Sequence, residues 1–329
     1  MGYTVSRDTI YYALNDNSNS TFNIYKVGLD GTGNTFLFNT AVYPAYMLIG
    51  GNYLLIQSQS NNGTIKAATY NNVTGVVINT SFAGIKAGGV APVYGDGYFY
   101  VAVGTQDSCN YTCAQPYYAI LGDIYQYDPV YNSTVKYRDN TGSYTNMYNY
   151  NVSGVVSMYY AGGRLYYGSE TYKMVSGVFT NDYTFVNFVG YSVGQTGYFN
   201  CSYQNNCNYS ISSDWGTYYH PSTGNNLVRG IVGQPNVEQD LSADGTFGGP
   251  LHVGSNYIYN LTGSKLYERG INGGPGVVKY QISAAYNIIY PLGSGSSLSV
   301  AKATNTVVLN VRTSASPIKY SLVRIDVSE

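Results

Sequence analysis

A short aromatic strand, led in by a small or turn residue, returns along this chain at a near-constant interval. It appears as Arg7-Asp-Thr-Ile-Tyr-Tyr-Ala-Leu14, then as Gly51-Asn-Tyr-Leu-Leu-Ile56 and Asp96-Gly-Tyr-Phe-Tyr-Val101. It recurs as Gly163-Arg-Leu-Tyr-Tyr-Gly168, Ser255-Asn-Tyr-Ile-Tyr259 and Asn305-Thr-Val-Val-Leu309. Aligned on Thr9, Asn52, Gly97, Arg164, Asn256 and Thr306, the copies stand 43, 45, 67, 92 and 50 residues apart. The spacing of 67 is one unit plus an insertion that contains Cys109 and Cys113. The spacing of 92 is two units, which places a weak copy at Ser213-Asp-Trp-Gly-Thr-Tyr-Tyr219. The count is then seven.

A second element follows the first. It reads Ile24-Tyr-Lys-Val-Gly-Leu-Asp-Gly31, Ile65-Lys-Ala-Ala-Thr-Tyr-Asn-Asn72 and Ile124-Tyr-Gln-Tyr-Asp-Pro-Val-Tyr-Asn132. Each is a strand that runs into a turn, and a further strand follows, such as Asn34-Thr-Phe-Leu-Phe38 or Gly75-Val-Val-Ile78. Helix signals are almost absent, while β-branched and aromatic runs bounded by Gly, Asn and Asp are frequent. Four short antiparallel strands in about 40–50 residues is the size of a propeller blade. The expectation is an all-β chain, one seven-bladed β-propeller domain over residues 1–329, with six or eight blades as the alternative. Insertions are expected near 105–120 and 196–212. The last segment, Ile318–Val327, reads as a third blade strand. Tyr3-Thr4-Val5-Ser6 then either completes that last blade or opens the first.

The pattern resembles irregular surface-protein propellers. Ile124-Tyr-Gln-Tyr-Asp128-Pro129 is similar to the strand-then-turn of kelch-like and YVTN-type propellers. The Trp-Asp signature of WD40 repeats and the Asp-box of sialidases are missing, so the resemblance carries no catalytic residue onto this chain.

Composition limits the function classes. Tyrosine supplies 40 of 329 residues, while charged residues are only 10%, with 16 bases against 17 acids. A nucleic-acid binder shows a basic footprint, and none exists. No apolar run approaches the roughly 20 residues that span a bilayer. Disorder needs low hydrophobicity and high net charge, the opposite of this chain. Met1-Gly2-Tyr3-Thr4 is no secretory signal, because Arg7-Asp8 interrupts it early. It implies another export route or a cut or engineered boundary. Tyr, Asn, Ser and Thr hydrogen-bond without titrating in acid. Few carboxylates therefore leave little to lose at low pH, and an acid-stable exterior protein is expected.

Cys109/Cys113 and Cys201/Cys207 form two close pairs in polar, Tyr/Asn-rich sequence. Local disulfides fit, each stapling one loop in an oxidising compartment. A four-thiolate zinc site competes, but such sites favour two to four residues between paired cysteines, and Cys201/Cys207 has five. Asn-x-Ser/Thr sequons at Asn19, Asn62, Asn72, Asn79, Asn110, Asn132, Asn151, Asn200, Asn208 and Asn260 mark glycosylation candidates, most of them in turns.

Catalytic signals are thin. His220 and His252 are the only histidines, and with Asp214 they could cluster, although two loop histidines explain them as well. Glu238, Asp240 and Asp244 beside Gly245 offer oxygens for calcium, but not at EF-hand spacing. Asp30-Gly-Thr-Gly-Asn34 lacks a strand–loop–helix context and reads as a hairpin turn. No carboxylate pair suited to glycoside hydrolysis stands out. The expectation is therefore no enzyme, no metal and no cofactor. Strand tyrosines such as Tyr11, Tyr12, Tyr53, Tyr98, Tyr100, Tyr166, Tyr167, Tyr257 and Tyr259 pack blades together. Loop aromatics Tyr111, Tyr117, Tyr118, Tyr203, Tyr209 and Trp215 are the binding candidates.

The leading expectation is an extracellular, cell-surface or virion-surface adhesion protein, binding a protein or glycan through propeller loops. A secreted carbohydrate-active enzyme and a self-assembling filament or lattice subunit are the alternatives. Low charge, tyrosine richness and sequons resemble the surface and virion proteins of thermoacidophilic archaea.

Overall fold

The computed structural model describes residues 2–58, 64–83, 85–86, 91–108, 118–138, 151–161, 164–175, 178–192, 195–201, 210–211, 217–221, 227–231, 238–242, 251–254, 256–288, 299–301 and 306–327. Every regular element among them is a strand, and the strands fall into seven antiparallel sheets in chain order.

The first sheet is β1 (Tyr3–Ser6), β2 (Thr9–Asp16), β3 (Thr21–Gly28) and β4 (Thr35–Thr40). The second is β5 (Tyr46–Gly50), β6 (Tyr53–Gln57), β7 (Thr64–Asn71) and β8 (Val77–Ala83). The third is β10 (Val93–Gly95), β11 (Tyr98–Ser108), β12 (Tyr118–Asp128) and β13 (Ser133–Arg138), with β9 (Ile85–Lys86) also on β11. The fourth is β14 (Asn151–Ala161), β15 (Arg164–Val175), β16 (Val178–Ser192) and β17 (Gln195–Cys201). The fifth is β18 (Ser210–Ile211), β19 (Thr217–Pro221), β20 (Leu227–Ile231) and β21 (Glu238–Ser242). The sixth is β22 (Leu251–Val253), β23 (Tyr257–Thr262), β24 (Lys265–Gly270) and β25 (Gly273–Gln281). The seventh is β26 (Tyr286–Ile288), β27 (Ser299–Ala301), β28 (Thr306–Thr313) and β29 (Tyr320–Asp326).

Local chemistry sets the turns. Asp96 and Gly97 both have positive φ, 48° and 89°, as a tight two-residue hairpin requires. At the outer hairpins a side-chain oxygen folds the turn. Asn71 Oδ1 accepts from Val73 N at 2.9 Å, and Asp128 Oδ1 accepts from Val130 N at 2.8 Å. Asp30 Oδ1 does the same for Thr32 N at 2.9 Å, so Asp30–Asn34 is a hairpin turn.

First strands of successive sheets lie side by side, β1 against β5, β5 against β10, β10 against β14, β14 against β18 and β18 against β22, and β27 returns to β1. Each inner sheet is therefore covered on both faces, which favours continuous apolar runs over alternation. Leu54 and Ile56 pack toward the first sheet with Met47, Phe38 and Tyr70. Leu55 between them packs toward the third sheet with Phe99, Val101 and Tyr127.

Close approach between sheets depends on glycine. Gly50 ends β5, and a Cβ there would fall inside the ring of Tyr94; Gly95 stands in the same relation to Tyr160. Register places Gly50 and Gly95 at the same position as Ser6, Ala161 and Ala301, all small. Tyr160 also stacks on Tyr100, with ring centres 5.4 Å apart and planes 16° apart.

Four of the six fourth strands carry a shared irregularity. One extra residue bulges from the ladder at Leu37, Tyr137, Leu241 and Lys279. Leu37, Tyr137 and Leu241 are half-buried and pack on the neighbouring core clusters, the re-aiming that a bulge produces.

The seventh sheet differs. β28 pairs β29 over Thr306–Arg312. β26 and β27 pair parts of that same stretch or its end, so both lie on the opposite edge, end to end. Among the described residues the sheet is three strands wide. β1 opens the first sheet and does not complete the last.

Candidate functional site

Among the described residues, two sheets extend past the rest. β11 and β12 remain paired through Thr105–Leu121, Gln106–Ile120, Asp107–Ala119 and Ser108–Tyr118, beyond the reach of β9, β10 and β13. These four pairs form a two-stranded arm. In the fourth sheet, β15 and β16 pair out to Val175–Val178, beyond the last β14 partner at Lys173. Both arms stand at the end where second strands finish and third strands begin. Of the insertion expected near 105–120, residues 105–108 and 118–120 belong to this arm, and residues 109–117 lie outside the described residues.

The predicted binding residues relate to these arms unevenly. Tyr118 is the first residue of β12, opposite Ser108, and Cys201 ends β17, opposite Val186. Cys109, Cys113, Cys207, Tyr111, Tyr117, Tyr203, Tyr209 and Trp215 lie outside the described residues. So do Asp214, Asp244, Asn62, Asn110 and Asn208. His220 lies in β19 and His252 in β22, opposite Val228 and Tyr259. Glu238 and Asp240 lie in β21, with Asp240 exposed. No group of metal-ligating side chains occurs among the described residues.

The sequons divide by exposure. Asn19, Asn79 and Asn132 are exposed, while Asn72 is half-buried and its Nδ2 donates to the Asn52 carbonyl at 3.2 Å. Asn151 and Asn200 lie in β14 and β17. Asn260 must be corrected as a glycosylation candidate. It is 0% exposed in β23, and its amide group bonds Thr262 and Arg269, so the folded chain offers it to no glycosyltransferase.

Sequence reasoning missed the charged pair of β24. Glu268 is 8% exposed and Arg269 2%. Neighbours on a strand point to opposite faces, so the acid enters one seam and the base the other. Glu268 Oε1 meets Lys279 Nζ at 3.0 Å, and Lys279 is the bulged residue that is apolar in the first, third and fifth sheets. Arg269 Nη2 donates to Asn260 Oδ1 at 3.4 Å. Register equates Arg269 with Val27, Tyr70, Tyr127 and Ile325. A cation thus replaces an apolar residue there. Aligning the third strands as Lys26-Val27-Gly28, Thr69-Tyr70-Asn71, Gln126-Tyr127-Asp128 and Glu268-Arg269-Gly270 exposes it. Near this seam, Arg229 Nη2 donates to Gln239 at 2.9 Å and Nη1 to Asn272 at 3.4 Å, tying the fifth sheet to the sixth.

Burial shapes the tyrosines. It pushes Tyr46 up to about 12. Tyr100 also rises to about 12, from burial first and then from Tyr137 and Asp96. Tyr160 is raised too, by burial and then by its hydrogen bond to the Asp96 carboxylate.

No protein family and no curated protein matches the sequence. Solved structures do match in fold. The Cps50 (Swd1) β-propeller domain of Myceliophteria thermophila is 10% identical, with a TM-score of 0.59 over 100% of this chain and 98% of that one. The β-propeller domain of the trilobed protease of Pyrococcus furiosus, described as having an open velcro topology, is 11% identical with a TM-score of 0.58, over 100% and 95%. A structure from a study of two prolyl endopeptidases is 10% identical with a TM-score of 0.54, and this chain spans 50% of its length. These likenesses show that the chain is a β-propeller. They also overturn the expectation that the chain is no enzyme. A propeller of this shape is a domain of a protease, and a structure from a study of prolyl endopeptidases is similar too, so the fold does not exclude catalysis.

Proposed function

We propose that this chain is a seven-bladed, kelch-like surface propeller that binds a protein or glycan partner through the end bearing the arms. The observation that carries the reading is the β11–β12 arm. An isolated two-stranded ribbon is marginally stable in water, so four pairs raised beyond the sheet serve reach. The sequence Cys109–Tyr118 that joins the arm's two strands holds three tyrosines with one Asn and one Gln, side chains suited to adaptable contacts. Disulfides Cys109–Cys113 and Cys201–Cys207 would limit the ordering cost of such loops. Low charge, exposed sequons and closely spaced cysteine pairs support an extracellular or virion setting of archaeal, acidic type. The test is binding to a glycan array and to purified surface proteins. Replacing residues 109–117 by a short Gly/Ser turn should abolish binding while leaving the strand circular dichroism intact.

A catalytic reading is favoured by one feature. Glu268 is a buried carboxylate whose Oε2 has no hydrogen-bond partner among the described residues. Turnover of a glycoside or peptide panel that falls at least tenfold in Glu268→Gln would support it. Unchanged turnover would remove Glu268 from it.

A further inference from the structure

We propose that β29 is a pairing edge at which two copies of this chain join into a two-fold dimer through a continuous antiparallel sheet. In the first six sheets a fourth strand covers the third. In the seventh, the third-strand position is β29 itself, and no described strand lies beyond it.

The phase of its main-chain groups follows from one bond. Thr313 N donates to Lys319 O at 2.9 Å, and the register then runs without a shift to Asp326. In an antiparallel ladder such pairs recur every second residue. Ser321, Val323 and Ile325 therefore spend their main-chain groups on β28. The N–H and C=O groups of Tyr320, Leu322, Arg324 and Asp326 face outward.

Protected edges carry bulges, prolines, glycines or charged side chains. β4, β13, β21 and β25 each carry a bulge, and β25 adds Gly274-Pro275-Gly276. β8 and β17 are regular, but each bears a sequon, Asn79 and Asn200. β29 is seven residues long and regular, is preceded by exposed Ile318 and begins with exposed Tyr320, and its two charged side chains, Arg324 and Asp326, pair with each other at 2.9 Å.

Charge selects a second copy and its register. Centred on Val323, antiparallel self-pairing sets Leu322 opposite Arg324 and Tyr320 opposite Asp326. The outward groups then meet as hydrogen-bonded pairs, and no like charges are opposed. Shifting the centre to Arg324 would set guanidinium against guanidinium. A net charge of −1 does not oppose self-association. Because the contact is isologous, it closes at two copies and builds no filament.

The test is the solution mass of the full chain by light scattering and sedimentation over roughly a hundredfold concentration range. Wild type should reach twice the 35.8 kDa chain mass. Arg324→Pro removes one outward N–H without touching the ladder to β28 and should halve the mass. Arg324→Ala keeps the N–H and should stay dimeric. A monomeric wild type, or a folded Arg324→Pro that remains dimeric, overturns the proposal. Should Arg324→Pro fail to fold, amide exchange in wild type decides. Leu322 and Arg324 amides protected only at high concentration support the dimer, and equal exchange at all concentrations overturns it.

Discussion

The Tyr3 hydroxyl donates to the main-chain carbonyl of Val308 at 2.8 Å, joining residues 305 positions apart. Around it Val5, Ile10, Val27, Leu29 and Leu322 pack on Val308. The first and seventh sheets therefore meet through side chains. A propeller closed by a shared strand would meet there through a hydrogen-bonded ladder.

Tyr3→Phe keeps the ring and removes the bond. It should cost about 1 kcal/mol, measured by denaturant unfolding. Hydrogen exchange should rise first in β1 and β28, the two strands that the bond joins. Uniform faster exchange across all sheets would contradict this.

Gly50→Ala and Gly95→Ala each place a Cβ inside a tyrosine ring. Each should cost about 1–3 kcal/mol through overpacking, read from the unfolding midpoint. Tyr94→Ala should relieve Gly50→Ala but not Gly95→Ala, since the ring over Gly95 is that of Tyr160. A double mutant no better than the sum would remove the pairing.

Lys279→Met leaves the Glu268 carboxylate buried without its cation, at a cost of about 3 kcal/mol. Adding Glu268→Gln should recover most of that loss. Full additivity in chemical unfolding would show that the pair is not coupled.

Stability should be lost in alkali. Tyr46 and Tyr100 hold their protons up to about 12 when folded, against 10.0 for an ordinary phenol. The unfolded chain thus deprotonates first. Their contribution is complete below about pH 10 and disappears as pH rises through 12. Asp30 acts in the opposite sense. Its carboxylate is held low by the Thr32 N–H and hydroxyl, so its contribution fades as pH falls through the folded value. Melting temperatures from pH 2 to 12 should drop above pH 10 and stay high near pH 3. An acid collapse at room temperature would contradict the expectation of acid stability.

Much of this fold is legible because a strand's second residue and its turn are local signals. The copies at Thr9, Arg164 and Thr306 begin β2, β15 and β28, and Asn52, Gly97 and Asn256 stand one residue ahead of theirs. The weak copy at Ser213–Tyr219 overlaps β19, where the apolar run is short. The role of β1 was not legible, because both of its possible partners read as strands. Arg269 was hidden for another reason. Burial depends on the adjoining sheet, and only the aligned third strands show a cation in an apolar column.

The central claim is that the arm-bearing end is the binding face. Its most direct test compares three folded proteins on one glycan and surface-protein array. These are wild type, a variant with residues 109–117 shortened, and a Val130→Ser/Tyr131→Ser variant of the exposed turn at the opposite end. The account predicts that binding is lost only in the shortened variant. Binding that survives the shortening, or that disappears with Val130 and Tyr131, would contradict it.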